Sequence, residues 1–227
     1  MNIEEYIPNE YIPAIITASV ALLAAVLSQV INNFLTYKRE NKKYLNEIYG
    51  DFISRYFSEV IAYGYAISTP GKEHNLKTKG DISETINGIF QSIHYGDKYL
   101  QANQFEYSTW KYLEDHKGDA EEILQFKVCY NFLVYSKNVF NKIDFSLENS
   151  MLNTLNYSIK KFGYLYICAE LEGKEEAIDK ITSIEFFNIN VLNEISCKKI
   201  NRMILRDDYE HQKRFINRIN TEIEKHI

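Results

Sequence analysis

Apolar residues recur at helical spacing along almost the whole chain, but between Tyr11 and Tyr37 they form a continuous block with no charged side chain. Within it, Ile12–Leu27 is interrupted only by Pro13, Thr17 and Ser19. A helix of about 20 apolar residues crosses a bilayer, so residues 11–37 are long enough. A secretory signal would need a basic n-region and a small-residue cleavage site, whereas here Glu4, Glu5 and Glu10 precede the block. An interfacial helix would show Lys or Arg on a polar face, and the first is Lys38. The expected organisation therefore starts with a short tail, 1–10, and a transmembrane helix, 11–37.

Beyond the block the helical stripe continues through Tyr44, Leu45, Ile48, Tyr49, Phe52, Ile53, Tyr56, Phe57 and Val60, predicting a juxtamembrane helix over 38–69. "STPGKEHNLKTKGD" (68–81) is a loop by composition and lacks the GxxxxGK[ST] pattern of a phosphate loop. Asp81 can cap a helix carrying Ile82, Ile86, Ile89, Phe90 and Ile93. An interrupted helix over Leu100–His116 follows. Gly118-Asp119 then marks a stop and a new start, and Ser146 can cap a helix running to Gly173. Glu175–Ser196 and Lys198–His226 each predict one more helix. No alternating strand with hairpin turns occurs, so the prediction is all-α, with one helical domain over 70–227.

Charge gives this layout a direction. Residues 1–37 hold three carboxylates and no cation, while Lys38, Arg39, Lys42 and Lys43 crowd the far end of the block. The positive-inside rule then places the N-terminus outside and the C-terminal domain in the cytoplasm, anchored by a single pass in the cytoplasmic membrane. Cys129, Cys168 and Cys197 are widely spaced and fit a reducing compartment rather than disulfides or zinc. Residues 81–197 carry eighteen acidic against ten basic groups, whereas 198–227 carry five against eight. A basic tail closes an acidic domain.

The span has its own pattern. Ala14, Ala18, Ala21, Ala25, Ser28 and Asn32 form a heptad seam on which every side chain is small or polar. Membrane helices associate through small residues that allow close approach, so the seam predicts packing of the chain against copies of itself, or the lining of a pore. Ser28, Gln29, Asn32 and Asn33 add hydrogen-bonding groups that are costly against lipid and welcome in a helix cluster.

Catalytic signatures are scarce. The five histidines are scattered, with no HExxH, GxSxG, GxGxxG or deaminase zinc pattern. No metal and no cofactor are expected. Paired carboxylates such as Glu121-Glu122 and Glu175-Glu176 fall in first turns of predicted helices, where they complement the dipole. In the tail, Lys199, Arg202, Arg206 and Lys213 are spaced 3, 4 and 7 and share one face of a continuous helix. They can bind phosphates, with Tyr209 stacking on a base.

"RDDYEH", Arg206 to His211, is similar to the R-(N/D/H)-x3-H motif of HEPN-type ribonucleases, an all-α family. That resemblance implies Arg206 and His211 acting on an RNA phosphodiester. In one continuous helix, however, the two would sit about 140° apart. His211 would then lie on the apolar row Ile204–His211–Phe215–Ile219–Ile223 as a core residue.

Taken whole, the small-residue span and motif-poor helical domain resemble in layout the single-span membrane effectors of bacterial anti-phage defence, the Hailong-type effector among them. The resemblance implies a non-enzymatic homo-oligomer in the lipid bilayer that forms a pore or disrupts the membrane. Its control would come from an oligonucleotide or nucleotide signal bound by the cytoplasmic domain at Lys199, Arg202, Arg206, Tyr209 and Lys213. A membrane-tethered ribonuclease and a non-catalytic scaffold are the alternatives.

Overall fold

The computed structural model describes residues 8–69, 82–112, 119–143, 145, 147–206 and 208–226. Most of the tail expected over 1–10, the 70–81 loop, Gly118 and the caps expected at Asp81 and Ser146 lie outside the described residues. Among those described, every regular element is helical and no strand occurs, as the periodicity predicts. The chain divides into two compact units, Met1–Asn46 and Glu47–Ile227.

The first unit is built on α1 (Ile12–Glu47). Residues 13–44 are all exposed, among them Leu22, Leu23, Val26, Leu27, Val30, Ile31 and Phe34. This is a helix long and apolar enough to cross a membrane. Its polar side chains are partly satisfied within the helix: Thr17 donates to the Pro13 carbonyl at 2.8 Å and Gln29 Nε2 to Asn33 Oδ1 at 3.2 Å. Such back-bonding lowers the cost of a polar group in an apolar medium.

The second unit opens with a π-helical turn, Ile48–Ile53, where the Ser54 N–H reaches the Tyr49 carbonyl five residues back. The wider turn brings Ile48, Phe52 and Ile53 into the core, and α2 (Ser54–Ile67) follows. The compact unit thus begins at Glu47, inside the segment expected to be a juxtamembrane helix. Next come α3 (Ile82–Gln91), α4 (Lys98–Tyr112), α5 (Asp119–Lys142), α6 (Asn149–Glu172) and α7 (Lys174–Phe186). Two shorter helices, α8 (Cys197–Arg206) and α9 (Tyr209–Glu224), close the chain. α4 is unbroken over Lys98–Tyr112, and the rest of the interrupted helix expected over Leu100–His116 lies outside the described residues.

α6 is the axis of the bundle. Residues Lys161 to Ala169 are buried without a gap, so this helix is covered on every side. α5 lies beside it with Phe126, Val128, Cys129, Tyr130, Phe132 and Leu133 fully buried. Aromatic pairs tie the first segment to this pair: Phe52 meets Phe132 edge-on at 5.5 Å, and Tyr63 stacks on Phe162 at 6.0 Å. One polar cluster crosses the core. Lys161, 2% exposed, donates to Ser68 Oγ and to Glu185 Oε1, each at 2.5 Å. Ser68 donates to the second Glu185 oxygen and Tyr157 donates to Oε1 at 3.0 Å. Burial pushes the Lys161 ammonium below its usual value against the pull of Glu185.

Two expected helices are shorter than their periodicity predicts. The helix expected over Glu175–Ser196 stops at Phe186 because Asn188 turns into the left-handed region at φ 52°, a conformation that Asn tolerates. A 3-10 turn over Asn190–Leu192 then buries Val191 and Leu192. The helix expected over Lys198–His226 is broken into α8 and α9, because Asp208 leaves helical geometry and caps α9, accepting from the His211 N–H at 3.2 Å.

Candidate functional site: a basic cavity between the last two helices

The break before α9 creates the cavity. α8 packs on α6 where Gly163 has no side chain: a Cβ there would lie 2.4 Å from Ile200 Cγ2. Tyr130 adds a hydrogen bond to Asn201 Oδ1 at 3.1 Å. α9 is fixed against α8 by Gln212, whose buried amide donates to the Met203 carbonyl at 3.1 Å. Between the two helices lies a cavity of 410 Å³ lined by Lys199, Arg202, Arg206, His211, Arg214 and Arg218, with Asp208 at its edge and Met203 and Phe215 as the apolar floor.

Helix geometry explains this membership. Lys199, Arg202 and Arg206 are three and four residues apart and occupy one face of α8. On α9 the equivalent set is His211, Arg214 and Arg218. Lys213 and Tyr209 are each two residues from His211, about 200° around the helix, and do not line the cavity. They pair with each other instead, with Lys213 Nζ 5.8 Å from the Tyr209 ring centre. The expected stripe is therefore corrected. Lys199, Arg202 and Arg206 stay together, Lys213 and Tyr209 drop out, and Arg214 and Arg218 take their place. The shared face of Lys213 with the α8 residues assumed a continuous helix that Asp208 interrupts.

The same break changes the geometry of Arg206 and His211. They do not sit 140° apart on one helix but line one cavity from two. Nor is His211 a core residue; its side chain is 69% exposed. Its Nδ1 lies 2.7 Å from Asp208 Oδ2. The His211 backbone N–H, then the ring and Arg214, hold the Asp208 carboxyl below its ordinary range, so it is ionised and can only accept. Nδ1 therefore carries the proton of this hydrogen bond, and in the neutral ring Nε2 is the free acceptor.

Among the described residues, Arg218 pairs with Glu194 at 3.3 Å. Lys199, Arg202, Arg206 and Arg214 form no ion pair there. Clustered like charges repel, and a bound anion removes that cost. What the arrangement can do chemically is bind phosphate oxygens through several guanidinium groups. Among the described residues no His, Cys, Asp and Glu cluster could hold a metal ion.

The residues of the expected membrane seam, Ala14, Ala18, Ala21, Ala25, Ser28 and Asn32, are all exposed on α1. Arg214 and Arg218 lie off the expected stripe because the Asp207-Asp208 pair, a helix-start signal, falls inside the single helix expected over Lys198–His226. The chain matches no family model, no curated protein and no solved structure.

Proposed function

We propose that this protein is a single-pass effector of the cytoplasmic membrane whose helical domain lies in the cytoplasm and is switched by a phosphate-bearing ligand. One observation carries the reading: a domain acidic over residues 81–197 presents a cavity lined by five cationic side chains against one carboxylate. Surface lysines and arginines scattered for solubility would not converge on one concavity with an apolar floor. The ligand is a nucleotide or an oligonucleotide. Self-association through the seam of α1 supplies the membrane half, because small side chains let apolar helices approach closely. A change in membrane permeability, the output of the single-span defence effectors that this layout resembles, is the proposed consequence.

The test uses the full chain reconstituted in vesicles loaded with a fluorescent dye. Addition of nucleotides or oligonucleotides should change dye release, and Arg202→Glu with Arg206→Glu should abolish that response without preventing insertion. Dye retention identical with and without every such ligand, for both chains, refutes the switch.

A second reading has its own observation. Arg206 and His211 share the cavity, and Asp208 orients the imidazole so that Nε2 can act as a base. A tethered ribonuclease would lose RNA cleavage in His211→Ala while keeping its fold. Absence of any RNA cleavage by the wild-type chain disposes of this alternative.

A further inference from the structure

Resting on the phosphate-binding reading, we infer that the group the α8–α9 cavity takes is a compact linear triphosphate, free or at the end of a nucleotide, rather than an internal stretch of strand. The argument is one of charge per volume. Lys199, Arg202, Arg206, Arg214 and Arg218 converge on 410 Å³, near the lower end of the ~300–1,000 Å³ range of small-molecule sites. A nucleic-acid strand carries about one negative charge per nucleotide. A space of this size admits little more than one nucleotide, so an internal segment would leave most of the cations uncompensated.

A terminal phosphate carries about −1.5 to −2 at neutral pH. Two further phosphates, at about one charge each, bring a nucleoside triphosphate near −4, and free tripolyphosphate, with a second terminal group, is at least as negative. Against it the lining sets five cations and the Asp208 carboxylate, with Arg218 also paired to Glu194, a surplus of three to four positive charges. Guanidinium groups suit this ligand because each forks onto two oxygens, and a phosphate chain presents oxygens on all sides.

The apolar side of the cavity supports the same ligand. A site that reads bases offers an exposed aromatic face for stacking. Here the lining aromatic is Phe215, only 5% exposed and engaged edge-on with Tyr164 at 6.3 Å. Tyr209, the ring placed to stack if α8 and α9 were one helix, is occupied by Lys213 outside the cavity. Recognition therefore rests on the phosphate chain, and the base contributes little.

The experiment is calorimetric titration of the full chain in detergent with inorganic tripolyphosphate, ATP, GTP, AMP, inorganic phosphate and a 5′-hydroxyl oligodeoxyadenylate. Tripolyphosphate, ATP and GTP should bind with similar affinity, and each at least about a hundredfold tighter than AMP or phosphate, which lose two or more charge-assisted contacts. Arg202→Gln, Arg206→Gln or Arg214→Gln should each weaken tripolyphosphate about tenfold or more. Lys213→Gln and Tyr209→Ala should leave it unchanged, and unliganded melting temperatures should match the wild type. If the 5′-hydroxyl oligonucleotide binds more tightly than tripolyphosphate, the triphosphate assignment is overturned while phosphate binding stands. If none of the six probes binds at low salt, the phosphate-binding reading falls with it.

Discussion

Gly163→Ala should loosen the helix on which half the cavity is built. A Cβ on Gly163 would meet Ile200 Cγ2 at 2.4 Å and the Tyr130 ring at 3.1 Å. Carbon atoms pack at about 3.5 Å, so α8 would have to retreat by about 1 Å. Ile200 cannot simply turn aside, because Cγ2 is bonded to its own Cβ and the β-branched side chain is stiff at χ1. Overpacking of this kind costs up to about 3 kcal/mol, offset by about 1 kcal/mol of helix propensity gained when Ala replaces Gly. The net loss is about 2 kcal/mol, a fall of about 4–8 °C in melting temperature for a unit of this size. Thermal unfolding of the full chain in detergent measures it, and phosphate-ligand affinity should fall in parallel because Lys199, Arg202 and Arg206 ride on α8. Ile200→Leu, which has no Cγ2, should recover most of the loss when combined with Gly163→Ala. Gly88→Ala is the contrast: its Cβ meets the ring edge and hydroxyl of half-buried Tyr56, the far end of a side chain that can swing away. An unchanged or raised melting temperature in Gly163→Ala would refute the close approach of α6 and α8.

Three further outcomes follow from the core and the span. Lys161→Met strips Glu185 of its buried counter-charge and should cost about 3 kcal/mol in urea unfolding; Lys161→Met with Glu185→Leu should recover most of it, and a double variant as unstable as the single one would mean that the pair is not the cause. Burial pushes the phenols of Tyr130, Tyr157 and Tyr164 far above their ordinary value of 10.0, that of Tyr166 up to about 12, and the Cys168 thiol up to about 12. Raised folded values mean that the stabilisation is complete below the unfolded values and is lost as pH rises. Each such phenol removes about 1.4 kcal/mol per pH unit above about pH 10. Tyrosinate absorbance should therefore appear late and together with unfolding, and early titration of these phenols in an intact fold would contradict their burial. On α1, Ala21→Leu with Ala25→Leu should disperse cross-linked oligomers, whereas Leu23→Ala with Val26→Ala should not; equal effects at both pairs would make the seam an accident of composition.

The architecture was legible because it rests on periodicity. α5 and α6 carry apolar side chains dense enough to be covered on all sides, and the uncharged block of 11–37 has no counterpart elsewhere in the chain. Helix ends were less legible where one residue decides them against an unbroken pattern. Asn188 ends α7 by adopting a left-handed conformation that the apolar row Ile184–Ile189–Val191 does not reveal. The π-helical turn at Ile48–Ile53 was invisible for a related reason: one extra residue in a turn alters the register without altering composition.

The cavity depended on a similar single residue, and there the consequence was chemical. Spacing within each helix is rigid, so Lys199, Arg202 and Arg206 could be placed on one face from sequence alone. Spacing across a helix break carries no angular information, because Asp208, outside helical geometry, can redirect α9. Every placement that crosses the break therefore differs in the structure. Lys213 does not line the cavity, Arg214 and Arg218 do, and Arg206 and His211 line it from two helices. The residue that makes the break also lines the cavity. By accepting the His211 N–H as its cap, Asp208 starts α9 so that His211 groups with Arg214 and Arg218 on one face, and it holds the imidazole at 2.7 Å. Substituting Asp208 should therefore disturb the fold and the cavity at once, whereas Arg214 and Arg218 can be neutralised one at a time with the bundle intact. Those two arginines, not the aspartate, are the positions at which the proposed ligand binding can be tested separately from folding.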